Sequence, residues 1–300
     1  MTAETRTRPG VIPADGLSHV AGPTDRPLVE ATIPAFLDEV CRRHGERTAC
    51  VFRATGDRWT YEELRAKADR LAAGLLALGV YKGDRVGIWS PNRPEWVLAQ
   101  FATARIGAIL VNVNPAYQTA ELDYALNKVG CKALILATAH SKSNYVEMLR
   151  DLAPELDAAR PGALEARRLP HLRIAIQLGP DTTPGALSFE EVMALGARSP
   201  GALARLPAIS AGLDPNDAIN IQFTSGTTGN PKGATLTHRN VVNNGIGVAR
   251  AMKLQPGEVL CIPVPLYHCF GMVLGVLAAT AYGVTMVFPG EGFDPDRKST

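Results

Sequence analysis

The 300-residue sequence has no marked excess of positive or negative charge and no paired cysteines. Its 31 lysine and arginine residues nearly balance 29 aspartate and glutamate residues, so the net charge of +2 gives no electrostatic reason to expect a nucleic-acid partner. No cysteines have Cys-x2-Cys or other zinc-site spacing, and the five are widely scattered: Cys41, Cys50, Cys131, Cys261 and Cys269. An odd number of cysteines without secretory features favours a reducing compartment, so we predict a cytoplasmic protein.

The sequence also lacks a signal peptide and a clear membrane span. Residues 1–27 are polar and have no apolar core, so we expect residues 1–28 to form a loosely ordered tail. Residues 271–288 contain no charged residue and approach the lower length limit of a membrane span. The Tyr282–Gly283 pair interrupts this stretch, which therefore predicts a buried helix followed by a strand and no transmembrane span.

Helical and strand patterns alternate along residues 29–300, which predicts one α/β domain with largely parallel sheets. Thr60 with Glu63, and Ser188 with Glu191, have the spacing of capping boxes that begin helices. A polar run at residues 199–215 indicates a soft subdomain boundary. The other predicted elements are helices from Ile33, Pro94, Thr119 and His238, and strands near residues 48–53, 58–60, 85–89, 108–113, 132–137, 173–178, 234–237 and 258–262.

One ten-residue segment is the most informative part of the chain. Residues 224–233 read Thr-Ser-Gly-Thr-Thr-Gly-Asn-Pro-Lys-Gly and follow an alternating run at 218–223 that predicts a strand. Glycine lets a backbone approach a ligand closely, hydroxyls and backbone N–H groups donate to phosphate oxygens, and the lysine adds positive charge. A flexible surface loop has a similar composition, and the spacing is not that of the Gly-x4-Gly-Lys-[Ser/Thr] P-loop.

The full string, through Thr237–Asn240, resembles the phosphate-binding loop of the adenylate-forming (AMP-binding) enzymes. This superfamily includes acyl-CoA synthetases, aryl-CoA ligases, luciferases and adenylation domains of peptide synthetases. Residues 59–64, 105–115 and 265–272 resemble further family motifs in the same order, most like those of medium- or long-chain fatty acyl-CoA synthetases. The resemblance implies the large N-terminal domain of the adenylate-forming fold, with stacked, mostly parallel sheets flanked by helices.

The resemblance also implies a reaction and roles for particular residues. ATP, with Mg²⁺, would activate a carboxylic acid, which we expect to be a fatty acid, to an acyl-adenylate, and coenzyme A would then displace AMP. Lys232 and His268 would be catalytic, with Lys232 on the β- and γ-phosphates and His268 beside the acyl carboxylate. A histidine that only satisfies a strand–helix turn is the alternative for His268. The residues expected to bind ATP beside Lys232 are Thr224, Ser225, Gly226, Thr227, Thr228 and Gly229.

The sequence departs from the family pattern because it stops at Thr300. By resemblance, a complete member would continue with an adenine-binding segment, a ribose-binding Thr-Gly-Asp segment and a C-terminal domain that carries a catalytic lysine. No carboxylate in the motifs present is clearly placed to hold Mg²⁺. We therefore expect this chain alone to be weak or inactive, with a separate C-terminal half as a candidate partner. Two alternatives stay open: an aryl- or coumarate-type CoA ligase or adenylation domain, and a non-catalytic nucleotide-binding protein.

Overall fold

The computed structural model of the chain describes residues 25–224 and 231–292. The strands in these ranges are β1 (Thr48–Phe52), β2 (Arg58–Thr60), β3 (Arg85–Trp89), β4 (Ile109–Asn112), β5 (Ala133–Leu136), β6 (Ala139–His140), β7 (Ser143–Asn144), β8 (Ile174–Gln177), β9 (Leu187–Ser188), β10 (Ala218–Thr224), β11 (Lys232–Thr237), β12 (Val259–Cys261) and β13 (Thr285–Phe288). The α-helices are α1 (Ile33–His44), α2 (Tyr61–Ala77), α3 (Pro94–Arg105), α4 (Thr119–Val129), α5 (Tyr145–Leu152), α6 (Phe189–Ala197), α7 (Pro200–Ala211), α8 (His238–Ala251) and α9 (Ala278–Ala281). A short 3₁₀ turn at Leu156–Ala158 and a π-helix at Phe270–Leu277 complete the order.

A seven-stranded sheet forms the centre of the fold. Its order is β11-β10-β4-β3-β5-β8-β9, and every neighbouring pair is parallel except the β10–β11 hairpin. All four residues of β5 and of β8 are buried, as expected for strands covered on both faces. The mixed order confirms the predicted α/β class with mostly parallel strands. It also brings the carboxyl ends of β3, β4 and β10 to one edge of the sheet.

A second sheet has four strands in the order β12-β13-β1-β2. Strands β12, β13 and β1 are mutually parallel, and β2 returns antiparallel after a turn at residues 53–57. Gly56 lies in this turn with φ of 79°, which glycine adopts without strain. Phe52 and Phe288 stack at 4.5 Å between ring centroids on the buried face of the sheet.

Both predicted capping boxes are confirmed. The Thr60 hydroxyl accepts from the Glu63 N–H at 3.1 Å, and the Glu63 carboxylate accepts from the Thr60 N–H at 2.8 Å. The same reciprocal bonds join Ser188 and Glu191 at 3.1 and 2.7 Å. These bonds satisfy N–H groups that a helix start otherwise leaves unpaired.

The structure differs from expectation in the polar run at residues 199–215. Most of this run is the helix α7, which begins at Pro200 and buries Leu206 against the core. The sequence pattern missed it because Pro207 lies inside the helix and the segment has few large apolar residues. The division into subdomains at this run stays a prediction.

The apolar stretch at residues 271–288 folds as the sequence predicts, with a buried helical segment, a break at Tyr282–Gly283 and the strand β13. The first two turns of this segment are the π-helix. Within residues 25–224 and 231–292, no helix combines the length and the apolar content that crossing a membrane requires.

Helix α8 anchors the segment that leads into α1. The Asn243 side chain exchanges two hydrogen bonds with the backbone of Val29, at 2.7 and 2.9 Å, and Arg239 pairs with Glu30 at 2.8 Å. Fully buried His238 accepts a bond from the Ile33 N–H on Nδ1 at 3.1 Å. Residues 1–24, which make up most of the predicted tail, lie outside the described residues.

Burial keeps His238 neutral. Loss of solvation lowers the pKa of His238 to about 4; the nearby Lys82 ammonium adds to this effect and the Asp217 carboxylate opposes it. Because Nδ1 accepts a hydrogen bond, the neutral ring carries its proton on Nε2, which has no partner among the described residues.

We expect this histidine to make folding weaker in acid. Between pH 6.5 and 4 the unfolded chain binds a proton at His238 that the folded chain excludes, so stability rises with pH across this window. In urea unfolding, the free energy of unfolding of wild type should fall between pH 7 and 4.5. This decrease should exceed that of His238→Gln by about 2 kcal/mol. In the exposed His171→Gln variant the unfolding free energy should depend on pH as it does in wild type. The same pH dependence in all three proteins would contradict the assignment of this effect to His238.

Candidate functional site

The two described ends of the glycine-rich loop face each other across the β10–β11 hairpin. Thr224 is the last residue of β10 and pairs with Lys232, the first residue of β11. The Thr224 hydroxyl lies 3.5 Å from the Lys232 carbonyl oxygen, and both residues are exposed. The Lys232 ammonium has no ion pair within residues 25–224 and 231–292. The other predicted ATP-binding residues lie outside the described residues: Ser225, Gly226, Thr227, Thr228 and Gly229.

Neighbouring side chains hold the base of this loop in place. The Tyr124 hydroxyl, on α4, donates to the Pro231 carbonyl at 3.2 Å. Phe223 packs edge-on against Tyr117, with ring centroids 6.5 Å apart. The loop therefore begins at a fixed position at the carboxyl end of β10. Open α/β sheets bind their ligands at the carboxyl ends of their strands.

A chain of buried amide side chains crosses the strands beneath this edge; we call Asn112, Asn220 and Gln222 the amide ladder. Asn112 belongs to β4, and the other two belong to β10. The Asn220 amide donates to the Asn112 side-chain oxygen at 2.9 Å, and the Gln222 amide donates to the Asn220 oxygen at 3.0 Å. All three are at least 90% buried, so each unpaired amide would carry a desolvation cost.

The amide ladder fixes the segment at residues 263–272, which contains the candidate histidine. The Asn112 amide donates to the Tyr267 carbonyl at 2.8 Å. The Asn112 and Gln222 amide nitrogens lie 3.2 and 3.0 Å from the Met272 sulfur. Met272 is therefore a buried anchor of the segment.

Two more amides on the same side bind the segment's backbone. Asn92, which follows β3, donates to the Val264 carbonyl at 2.9 Å and accepts from the Leu266 N–H at 2.7 Å. Gln100, on α3, donates to the Met272 carbonyl at 3.2 Å. Strands β3, β4 and β10 and helix α3 thus all position one turn.

His268 is an exposed residue of this turn. Its Nδ1 accepts from the Phe270 N–H at 3.1 Å, so the neutral ring carries its proton on Nε2 and can donate from that atom to a ligand. The turn closes tightly, because a Cβ at Gly271 would lie 2.3 Å from the Pro265 carbonyl oxygen. The fold thus sets His268 above the β4 and β10 ends, at the sheet edge from which the Thr224–Lys232 loop leaves.

The sequence did not identify the amides that build this support. Asn220 and Gln222 alternate with apolar residues in β10, a pattern that by itself predicts only a strand. Two adjacent amides at i and i+2, directed to a buried face, were the available signal. Asn92, Gln100 and Asn112 are distant in sequence from residues 263–272, so their contact with this turn depends on the fold.

Within the part of the chain that the structure describes, no three His, Cys, Asp or Glu side chains lie close enough together to hold a metal ion. The triphosphate of a nucleotide fits better, because Lys232 supplies a cation without an ion pair among the described residues and Thr224 supplies a hydroxyl at the loop base.

The family profile described as AMP-binding enzyme matches residues 37–300. The mitochondrial medium-chain acyl-CoA ligase of Mus musculus is 42% identical over 287 residues, which cover 94% of this chain and 46% of that protein. The chain thus spans about half the length of the curated relatives that it matches.

Solved structures give the same fold. A Mycobacterium tuberculosis fatty acyl CoA synthetase has 25% identity and a TM-score of 0.68, over 88% of this chain and 45% of that chain. The anthranilate CoA ligase AuaEII in complex with anthranoyl-AMP has 22% identity and a TM-score of 0.72, over 89% of this chain and 46% of that chain. At this lower identity the second likeness shows the fold alone.

Removing one member of the amide ladder should loosen the turn that carries His268. In Asn112→Leu the Tyr267 carbonyl and the Asn220 amide lose a partner, which should cost about 1–3 kcal/mol of unfolding free energy. Hydrogen exchange should accelerate in residues 264–272 more than in β5. The exposed Asn216→Leu variant is the matched control, and unchanged exchange in Asn112→Leu would show that the ladder does not hold the turn.

Proposed function

Because this chain belongs to the AMP-binding enzyme family, we propose that it forms the phosphate and carboxylate side of an acyl-CoA ligase site. In this reaction a carboxylate oxygen of a fatty acid attacks the α-phosphorus of ATP, the bond to pyrophosphate breaks, and an acyl-adenylate forms. The thiol of coenzyme A then attacks the acyl carbon and AMP leaves. The observation that carries the proposal is the placement of Lys232 and Thr224 opposite each other at the carboxyl end of the central sheet.

Lys232 has the chemistry that the first step requires. Negative charge grows on the leaving pyrophosphate, and a cation fixed beforehand stabilises that charge without reorganisation. Antiparallel pairing fixes the Lys232 backbone against Thr224, while the side chain stays exposed. Residues 225–230, which lie outside the described residues, would complete the phosphate site as the family resemblance implies.

His268 is suited to receive the carboxylate. Its Nε2–H is the free donor of the ring, since Nδ1 is occupied by the Phe270 N–H. A fixed donor at this place would align the carboxylate oxygen with the phosphorus and offset the repulsion between two anions. The amide ladder would make His268 a preorganised group, because it holds the turn before any ligand binds.

The substrate that we propose is a medium- or long-chain fatty acid. Support comes from the name of the Mus musculus relative, a medium-chain acyl-CoA ligase, and from the resemblance of residues 112–117 and 267–271 to motifs of medium- or long-chain fatty acyl-CoA synthetases. We also propose that net thioester formation needs a polypeptide equivalent to the half of the relatives that this chain does not match. Mg²⁺ as a co-substrate and a cytoplasmic location stay predictions.

Replacing Lys232 tests the phosphate site. In Lys232→Ala the loss of one charge-assisted contact should weaken ATP binding by about 10- to 100-fold, measured by isothermal titration calorimetry on the full chain. Lys128→Ala, an exposed lysine on α4, should bind ATP as wild type does. Equal ATP affinity in Lys232→Ala and wild type would overturn the proposal.

Replacing His268 tests the carboxylate side. The assay is ATP–pyrophosphate exchange with octanoate, run with this chain fused to the unmatched half of the Mus musculus ligase. His268→Ala should lower exchange by about 10²–10³ while ATP affinity stays within about twofold, because one oriented donor is lost. His171→Ala is the control. Exchange that persists in His268→Ala would assign His268 to the turn alone.

The same assay separates the alternative functions. Exchange with benzoate or coumarate but not with octanoate would favour an aryl-type ligase. ATP binding without exchange for any acid would favour a non-catalytic nucleotide-binding protein.

A further inference from the structure

Helix α4, which lies beside the base of the glycine-rich loop, is fixed from two sides. Its residues Leu122 and Leu126 are buried in the core. On its outer side, the Asp123 carboxylate pairs with the Arg168 guanidinium at 2.7 Å. Tyr124, the residue after Asp123, therefore extends from a helix whose position does not depend on the β10–β11 hairpin.

The Tyr124 hydroxyl reaches the peptide that joins Pro231 to Lys232. It donates to the Pro231 carbonyl at 3.2 Å in a partly buried contact, which we call the tyrosine tether. That carbonyl and the Lys232 N–H belong to one planar peptide unit, so fixing the orientation of one fixes the other. The proline ring already restricts φ of Pro231, and the tether therefore acts on its one remaining soft torsion, ψ.

Aromatic packing holds the residue on the other side of Lys232. Phe223 pairs with Gly233 across the hairpin, and a Cβ on Gly233 would lie 3.7 Å from the Phe223 ring. Tyr117, shortly before α4, packs edge-on against the same ring. Both neighbours of Lys232 are thus held from the segment that contains α4.

The tether matters because little else holds Lys232. Strand β11 is at the edge of the central sheet, and residues 232–235 are exposed, so side-chain packing contributes little there. In the described part of the chain the Lys232 ammonium has no ion pair. The backbone therefore decides where this long, flexible side chain can reach.

We propose that Tyr124 is a positioning residue for the phosphate site, which acts through the Pro231 carbonyl to hold Lys232 where it meets the phosphates of ATP. The inference rests on the proposed function, which gives Lys232 its ligand, and adds a residue that itself touches no ligand. A cation held in place before binding stabilises negative charge without reorganisation, so the tether should increase ATP affinity. The competing explanation is a hydrogen bond that stabilises the fold alone.

Tyr124→Phe removes the hydroxyl and keeps the ring. Isothermal titration calorimetry on the full chain should show ATP affinity about 3- to 10-fold lower than in wild type, as expected for the loss of one partly buried hydrogen bond. Inorganic tripolyphosphate, which lacks the nucleoside, should lose affinity by the same factor. Tyr61→Phe is the matched control, because it removes a buried hydroxyl that donates to the Val284 carbonyl at 2.7 Å in the four-stranded sheet, and it should bind both ligands as wild type does.

A double-mutant cycle separates positioning from general loosening. If the tether acts through Lys232, Tyr124→Phe should change ATP affinity by less than about twofold when Lys232→Ala is already present. A hydrogen bond that only stabilises the fold would give the same factor in both backgrounds.

Hydrogen exchange without any ligand tests the tether itself. Peptides that cover residues 232–236 should exchange faster in Tyr124→Phe than in wild type, because the start of β11 loses its anchor. Tyr61→Phe should leave exchange in these peptides unchanged.

Two sets of results would overturn the inference and leave the proposed function intact. One is wild-type ATP affinity, or wild-type exchange at residues 232–236, in Tyr124→Phe. The other is equal weakening of ATP binding in Tyr61→Phe or in both Lys232 backgrounds. A wild-type chain that binds neither ATP nor tripolyphosphate would instead remove the proposed phosphate site, and this inference with it.

Discussion

The candidate site depends on one physical constraint: the side chains of the amide ladder are buried under the edge of the central sheet and need hydrogen-bond partners there. Asn112, Asn220 and Gln222 satisfy one another and also the turn at residues 263–272. A buried amide without a partner costs about as much free energy as several ordinary contacts contribute, so one position of the turn is strongly favoured. The position of His268 follows from that position of the turn and does not depend on a ligand.

The order of strands supplies the rest of the site. β4 and β10 are neighbours although more than one hundred residues separate them in sequence, and their carboxyl ends meet at one edge. The hairpin from β10 to β11 sends the loop out from that edge and returns Lys232 opposite Thr224. A cation, a hydroxyl and a histidine donor are thereby gathered at one edge without any of them entering the core. The same edge receives ligands in many α/β proteins.

The two sheets differ in how complete their burial is. β5 and β8 in the central sheet are buried on both sides. The four-stranded sheet leaves Val259 and Cys261 in water at its edge strand. The candidate site is thus built on the sheet whose central strands are buried on both sides.

Most helices and strands, and the chemical groups of the loop, follow from the sequence alone. Capping boxes at Thr60 and Ser188 and the break at Tyr282–Gly283 are local signals, and local hydrogen bonds or turn geometry enforce them. Helix α7 escaped prediction because its stability comes from packing on α2 and little of it is visible in its own pattern. That side-chain amides from β4, β10, α3 and the residues after β3 converge beneath His268 follows from the tertiary structure alone. They meet residues 263–272 because parallel strands align their carboxyl ends, and burial favours pairing of their polar groups. The Gln100 side-chain oxygen is the exception, with no partner among the described residues.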